Sequence, residues 1–262
     1  VRSGGRMELG LGRQAVIVTG AASGIGAAIA RLLAAEGVGA LLLTDRDREG
    51  LAGIAAELQV PVETYVADLG DTEAPAAITA AALSCFGRID GLVNAAGLTT
   101  RGSFETGTAA IWDELFAVNA RAGFLLMQAA IADMRGRNAP GSIVNILSMN
   151  AWCGIPELAI YASSKGAMLT LTRNAAHAHM ADRIRVNGIN LGWVATEGEH
   201  RMQSQLLGRG EDWVTAVSAA QPLGRLLTAE EAARLVAFLL GDASIPMSGA
   251  IIDLEQKVTG AL

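Results

Sequence analysis

The run Val16-Ile17-Val18-Thr19 leads straight into Gly20-Ala21-Ala22-Ser23-Gly24-Ile25-Gly26 and then Ala27 to Leu33. A β-branched apolar run too short for a helix, a glycine-punctuated turn, and apolar residues at Ile25, Ile29, Leu32 and Leu33 predict a buried strand, a tight turn and an amphipathic helix. Glycines in such a turn let a pyrophosphate approach the backbone and rest on the N–H groups of a helix N-terminus. The spacing Gly20-x-x-x-Gly24-x-Gly26 is neither G-x-G-x-x-G nor a P-loop, which needs Lys and Ser/Thr after its last glycine. A plain chain reversal would also use such a turn, so the rest of the chain decides.

Strand and helix patterns alternate downstream. Gly39 to Leu43 is a second apolar run ending in Thr44-Asp45-Arg46, Val62 to Val66 a third ending in Asp68-Leu69, and Gly91 to Val93 a fourth ending in Asn94-Ala95-Ala96-Gly97. Helical stripes lie between them at Leu51, Ile54 and Leu58 and over about Glu73 to Phe86. This order predicts a single-domain α/β fold, Rossmann-like, with a doubly wound parallel sheet of seven strands and helices on both faces. Ligands of such sheets sit beyond the strands' carboxyl ends, where Thr19, Asp45, Asp68 and Asn94 fall. Asp45, about 20 residues past the turn, is placed to accept hydrogen bonds from ribose hydroxyls, which favours NAD; Arg46 beside it leaves NADP open, and a solvated acidic loop is the plainer reading.

A long helical pattern from about Thr108 to Met134 carries Asn119 in its middle, where asparagine competes with the backbone for hydrogen bonds and predicts a kink. A fifth strand, Gly141 to Leu147, ends at Ser148. Tyr161 then opens a helix with Lys165 four positions on, hence on the same face. Together with the glycine turn and Asn94-Ala95-Ala96-Gly97, the residues Asn119, Ser148 and Tyr161-x-x-x-Lys165 resemble the short-chain dehydrogenase/reductase family in order and spacing, from about Arg13 to Leu254.

That resemblance implies hydride exchange between an alcohol or carbonyl and a nicotinamide dinucleotide. It implies Asn119, Ser148, Tyr161 and Lys165 as the catalytic set, with Asn119 anchoring a water and Lys165 holding the nicotinamide ribose. Removing a proton from an alcohol at neutral pH needs a base better matched than free tyrosine, with its pKa of about 10, and a nearby ammonium favours phenolate. Ser148 is expected to stabilise charge on the substrate oxygen. The cofactor is expected against Gly20, Ser23, Gly24, Ile25, Gly26, Asp45, Asp68, Leu69, Asn94, Ala95, Gly97, Tyr161, Lys165, Val194 and Thr196, and the substrate against Ser148, Tyr161, Glu197 and Glu199.

The pattern departs from the family after the sixth strand, Ile184 to Ile189. Leu191-Gly192 stands where the family usually has Pro-Gly, and Asp253-Leu254-Glu255-Gln256 replaces the usual Asp-Gly-Gly after the seventh strand, Ala250 to Leu254. The tail is therefore expected at a subunit contact or a neighbour's active site. Glu197 to Gln221 breaks the alternation with a polar segment, read as a lid over the substrate. The grouping Glu197, Glu199 and His200 invites a metal reading, but lacks a supporting ligand, and no metal is expected. Thr228 to Glu231 is a capping box. Acceptors at Glu157, Glu197, Glu199 and Gln256 suit a polyhydroxylated substrate. Short stretches, Thr196 to Glu199 and Ile252 to Gln256, resemble sugar 1-dehydrogenases of the rhamnose type. A sugar or polyol dehydrogenase is thus the leading expectation. The others are a 3-oxoacyl-carrier-protein or other ketone reductase, and a regulator that binds NAD without turnover.

The formal charge of −6 provides no basic field for nucleic acid. Cys85 and Cys153 lie too far apart in sequence to suggest a disulfide framework and are expected to be small buried hydrophobes. Neither a membrane span nor an export signal is read, so a cytoplasmic enzyme is expected. The long helices around Asn119 and Tyr161 resemble those through which the family forms homotetramers. The domain is taken as residues 7–262, with Val1 to Arg6, before the first methionine, as a disordered or appended tail.

Overall fold

The computed structural model describes residues 8–258; the expectation for Val1 to Arg6 lies outside them. Strands β1 (Ala15–Thr19), β2 (Ala40–Asp45), β3 (Val62–Val66), β4 (Gly91–Asn94), β5 (Gly141–Ser148) and β6 (Ile184–Leu191) are followed by short β7 (Val194–Ala195) and β8 (Leu227–Thr228), then β9 (Ile251–Leu254). The helices are α1 (Gly24–Ala35), α2 (Arg48–Glu57), α3 (Ala74–Phe86), α4 (Ala109–Phe116), α5 (Ala122–Gly136), α6 (Ala159–His179), α7 (Glu197–Arg201), α8 (Trp213–Ser218) and α9 (Ala229–Leu240). Seven strands form one sheet in the order β3-β2-β1-β4-β5-β6-β9, every pairing parallel. Strand order reverses between β1 and β4, which opens a crevice at their carboxyl ends.

The period-2 alternation of β1 explains the two layers. Val16 and Val18 join a core with Ile29 and Leu33 of α1, Leu51 of α2 and Val236 of α9, while Ile17 faces Ile78 of α3, Leu126 and Met127 of α5 and Met168 of α6. Ala109–Gly136 is apolar enough by length and composition to suit a bilayer, but Leu126, Ala130 and Met134 on it are fully buried in the second core.

Asn119 marks the expected break. Residues Ala117–Arg121 form a single π turn between α4 and α5, with the Asn119 side chain accepting from Leu98 N (2.8 Å) and donating to Leu98 O (2.9 Å). The Thr228 capping box closes with both of its bonds, Glu231 N to Thr228 Oγ1 and Thr228 N to the Glu231 carboxylate. Both cysteines correct the expectation of burial: Cys85 in the last turn of α3 and Cys153 in the loop after β5 are exposed, because an element end and a loop override the residue's general habit.

Glu197 to Gln221 is also more ordered than a loop. It folds as α7, a π turn over Met202–Leu206, and α8. In the tail, Gln256 accepts from Leu223 N (2.9 Å) and donates to Arg225 O (2.7 Å), fastening the end of that segment.

Candidate active site

At the crevice the glycines divide by what each opposes. A Cβ on Gly20 (φ +67°) would meet the Ala96 backbone at 2.8 Å, and one on Gly26 would strike the carbonyl oxygen of Gly20. These two are required by backbone packing inside the turn. Gly24 (φ +54°) has only Thr196 Cγ2 nearby, at 3.5 Å, so its face is the open one. Ser23 is exposed and caps α1 with no side-chain bond, leaving its hydroxyl and the first N–H groups of the helix facing outward.

Thr19 stitches the switch point together: its Oγ1 accepts from Ala95 N and Ala96 N, each at 3.0 Å. Asp45 at the end of β2 accepts from Ala22 N (3.2 Å) and Asp47 N (3.1 Å), which ties the acidic residue to the turn. Asp68 accepts from Gly70 N at 2.8 Å. Asn94 donates to Asn145 Oδ1 (2.8 Å), which leaves its own buried Oδ1 without a protein partner. A turn that excludes side chains, an acidic residue at the second strand's end, and an orphaned amide oxygen fit a dinucleotide lying across the switch point. The Val194 side chain is buried in the first core, where β7 pairs with β8, so what Val194 offers the crevice is its backbone.

Ser148, Tyr161 and Lys165 are all buried at the carboxyl end of β5 and the start of α6. Lys165 Nζ donates to Ile146 O (3.0 Å) and lies 6.0 Å from the centre of the Tyr161 ring. Burial pushes the Tyr161 phenol above its ordinary pKa, a hydrogen bond with Ser148 pulls it down, and the Glu199 carboxylate pushes it up again. Burial also lowers Lys165 to about 8. In this structure the amine donates to a strand carbonyl, and burial is the largest influence on the phenol. Ser148 Oγ also caps the following 3-10 turn, accepting from Asn150 N at 3.2 Å.

Asn119 Nδ2 reaches Ser164 Oγ (3.0 Å) on the same helix as Tyr161 and Lys165. Beneath these groups a cavity of about 10 Å³ is lined by Thr19, Asn94, Asn119, Gly123 and Lys165, room for one water molecule. A Cβ on Gly97 would come within 3.2 Å of Lys165 Nζ, so that glycine keeps the cleft open above the amine.

The residues expected at the substrate separate. Glu197 and Glu157 are exposed, and Gln256 is occupied by the backbone contacts described above. Glu199 turns inward: its Oε1 accepts from Trp193 Nε1 (2.8 Å) and Gln203 Nε2 (2.6 Å). His200 instead accepts from Trp213 Nε1 at Nδ1 (3.1 Å) and pairs through Nε2 with Glu211 (2.8 Å), so Glu197, Glu199 and His200 diverge. Trp193 and Gln203 escaped the sequence reading. The spacing of Glu199 and Gln203, four residues apart, was the available signal, hidden because the segment was read as a loop.

A family model described as enoyl-(acyl carrier protein) reductase matches residues 20–256. The chain is 37% identical to 2-(S)-hydroxypropyl-CoM dehydrogenase 3 of Xanthobacter autotrophicus, over 95% of this chain and 98% of that one. It is 32% identical to a probable galactose dehydrogenase of Rhizobium meliloti, covering 93% and 94%. Among solved structures, L-sorbose reductase from Gluconobacter frateurii, complexed with NADPH and L-sorbose, superposes with a TM-score of 0.90 at 26% identity, covering 98% of this chain and 100% of that one.

Proposed function

The chain belongs to the short-chain dehydrogenase/reductase family and is a nicotinamide-dependent oxidoreductase of CH–OH groups, and on that premise we propose that it interconverts a sugar or polyol with its carbonyl form. The burial of Ser148, Tyr161 and Lys165 side by side at the end of β5 is the observation that carries the catalytic assignment. The dinucleotide, when bound, supplies or takes the hydride. Tyr161 gives or takes the proton at the substrate oxygen, and Ser148 donates a hydrogen bond to that oxygen as charge develops there. Lys165, charged below about pH 8 and next to Gly97, would hold the nicotinamide ribose. Asn119 holds the helix break that sets α6 against Leu98 and lines the water-sized cavity.

Gly20, Ser23, Gly24, Ile25 and Gly26 form the pyrophosphate turn in this reading, with Asp45 on the adenosine ribose and Asp68, Leu69, Asn94, Ala95, Gly97 and Thr196 along the remaining length. Asp45, as a fixed carboxylate, favours NAD by repelling a 2′-phosphate. The NADPH in the L-sorbose reductase structure points the other way for that protein, and Arg46 follows Asp45 here. Exposed Trp112 and Phe124 on α4 and α5 support a homotetramer, since large apolar side chains there gain a burial partner on association.

The polyol reading draws on the inward carboxylate of Glu199 and on the sugar-named relatives. A secondary alcohol without a sugar skeleton is the second reading, favoured by the 37% identity to the hydroxypropyl-CoM dehydrogenase. Following nicotinamide absorbance over a panel of aldoses, polyols and simple secondary alcohols, with NAD and NADP in parallel, separates them. Turnover confined to non-sugars removes the polyol reading.

A further inference from the structure

Leu191, the last residue of β6, pairs directly with Ser148 of β5, so Gly192 and Trp193 are the first residues beyond the strand beside the serine. On the other flank, Leu191 pairs with Leu254 of β9, and the Glu255 carboxylate lies against Gly192. Trp193 stacks on buried Trp213 with ring centres 5.7 Å apart, and its indole N–H grips Glu199 Oε1. Gln203 Nε2, one turn further along, grips the same oxygen. Both donors are thus spent on Oε1, and Oε2 has no partner among the described residues. No cationic side chain among them pairs with this carboxylate, and Arg225 at the segment's far end is committed to Glu231 (2.8 Å). The Glu199 carboxylate is near enough to the Tyr161 phenol to push its pKa up.

We propose that Glu199 is a specificity-determining residue that selects substrates by charge, its free Oε2 accepting a hydroxyl from a neutral substrate and repelling one that carries an anionic group at the same end. The carboxylate is pre-oriented by Trp193 and Gln203, so little ordering is left for the substrate to impose. A hydroxyl donates to it, whereas an acidic group there faces like charge beside a buried phenol. Glu255 against Gly192 adds a second carboxylate to the same wall. This inference rests on the polyol reading for the identity of the hydroxyl, but not for the charge rule.

The test uses two matched pairs, galactose with galacturonate and 2-butanol with 3-hydroxybutyrate, each followed by nicotinamide absorbance. Wild-type protein is expected to favour the neutral member of whichever pair it turns over. Glu199→Gln removes the charge and keeps an oxygen for Trp193 and Gln203. It is expected to raise KM for the neutral member about 10- to 100-fold, the range of a hydrogen bond to a charged group, with a smaller change in kcat, and to shrink the neutral-over-anionic ratio of kcat/KM by at least 10-fold. A residue that only held the segment in place would weaken both members alike and leave that ratio fixed. Trp193→Phe, which keeps the charge and removes one donor, is expected to raise KM while preserving the preference for the neutral member. Turnover of 2-butanol alone, with the ratio collapsing in Glu199→Gln, removes the polyol reading and leaves charge selection standing. An unchanged ratio in Glu199→Gln, or a wild-type preference for the anionic member, overturns the proposal; the second result needs no variant to fold.

Discussion

The two walls of the cleft are built on opposite plans. On the nucleotide side the wall is mostly backbone: Gly20 packs against Ala96 and Gly26 against the Gly20 carbonyl, while the N–H groups of Ala95, Ala96 and Ala22 are held by the Thr19 hydroxyl and the Asp45 carboxylate. On the side that follows β6, side chains hold side chains: Trp193 and Gln203 on Glu199, Trp213 and Glu211 on His200. At Gly20 and Gly26 that wall tolerates no added atom. A wall made of side-chain pairs can be retuned one residue at a time without moving the sheet, so a common nucleotide half can serve many substrates.

The contrast is sharpest for added methyl groups. Gly26→Ala drives a Cβ into the Gly20 carbonyl, which cannot yield without opening the turn; a loss of roughly 3 kcal/mol or more is expected, together with nicotinamide binding. Denaturant unfolding and cofactor fluorescence check it, and a variant that binds cofactor normally would show the turn to be adaptable.

Lys165 gives the next effect, and its sign follows from burial. Its pKa falls from 10.5 to about 8 in the folded chain, so the fold favours the neutral amine and stability rises with pH between about 8 and 10.5. Below that window the full penalty of a buried charge, about 3 kcal/mol, is present. Lys165→Met is therefore expected to abolish turnover while its Tm at pH 7 is no lower than wild type, and the advantage should shrink toward pH 10. A Tm well below wild type at pH 7 would mean that the bond to Ile146 O outweighs desolvation.

The smallest effect lies on the retunable wall. A Cβ on Gly198 in α7 meets nothing closer than Thr196 Oγ1 at 4.0 Å, so Gly198→Ala should stabilise by roughly 0.5–1 kcal/mol through reduced chain entropy, with cofactor binding unchanged. Differential scanning calorimetry reads it, and destabilisation would place that wall under the same constraint as the turn.

The same division explains what was legible in the sequence. Strands, the glycine turn, the Asn119 break and the Tyr161–Lys165 face depend on local periodicity and chain order, and all of these features stand in the fold. The helical turns of 197–218 do not, because Trp193 and Trp213 order them through stacking and hydrogen bonds between residues well apart along the chain. The direction of the Val194 side chain was not legible for a related reason. Position after a strand does not say whether a side chain faces the cleft or the core, and here β8 draws it inward. Gln256 was read as a substrate group, yet its amide is consumed by Leu223 and Arg225, a pairing across more than thirty residues that no spacing encodes.

Tyr161→Phe, assayed for nicotinamide turnover and cofactor binding on the same preparation, most directly tests the assignment of proton transfer to the buried phenol. Turnover is expected to fall by roughly 10²- to 10⁴-fold, the range of a single positioned acid or base, while cofactor affinity stays within about a factor of two. Wild-type turnover in that variant would contradict the assignment outright.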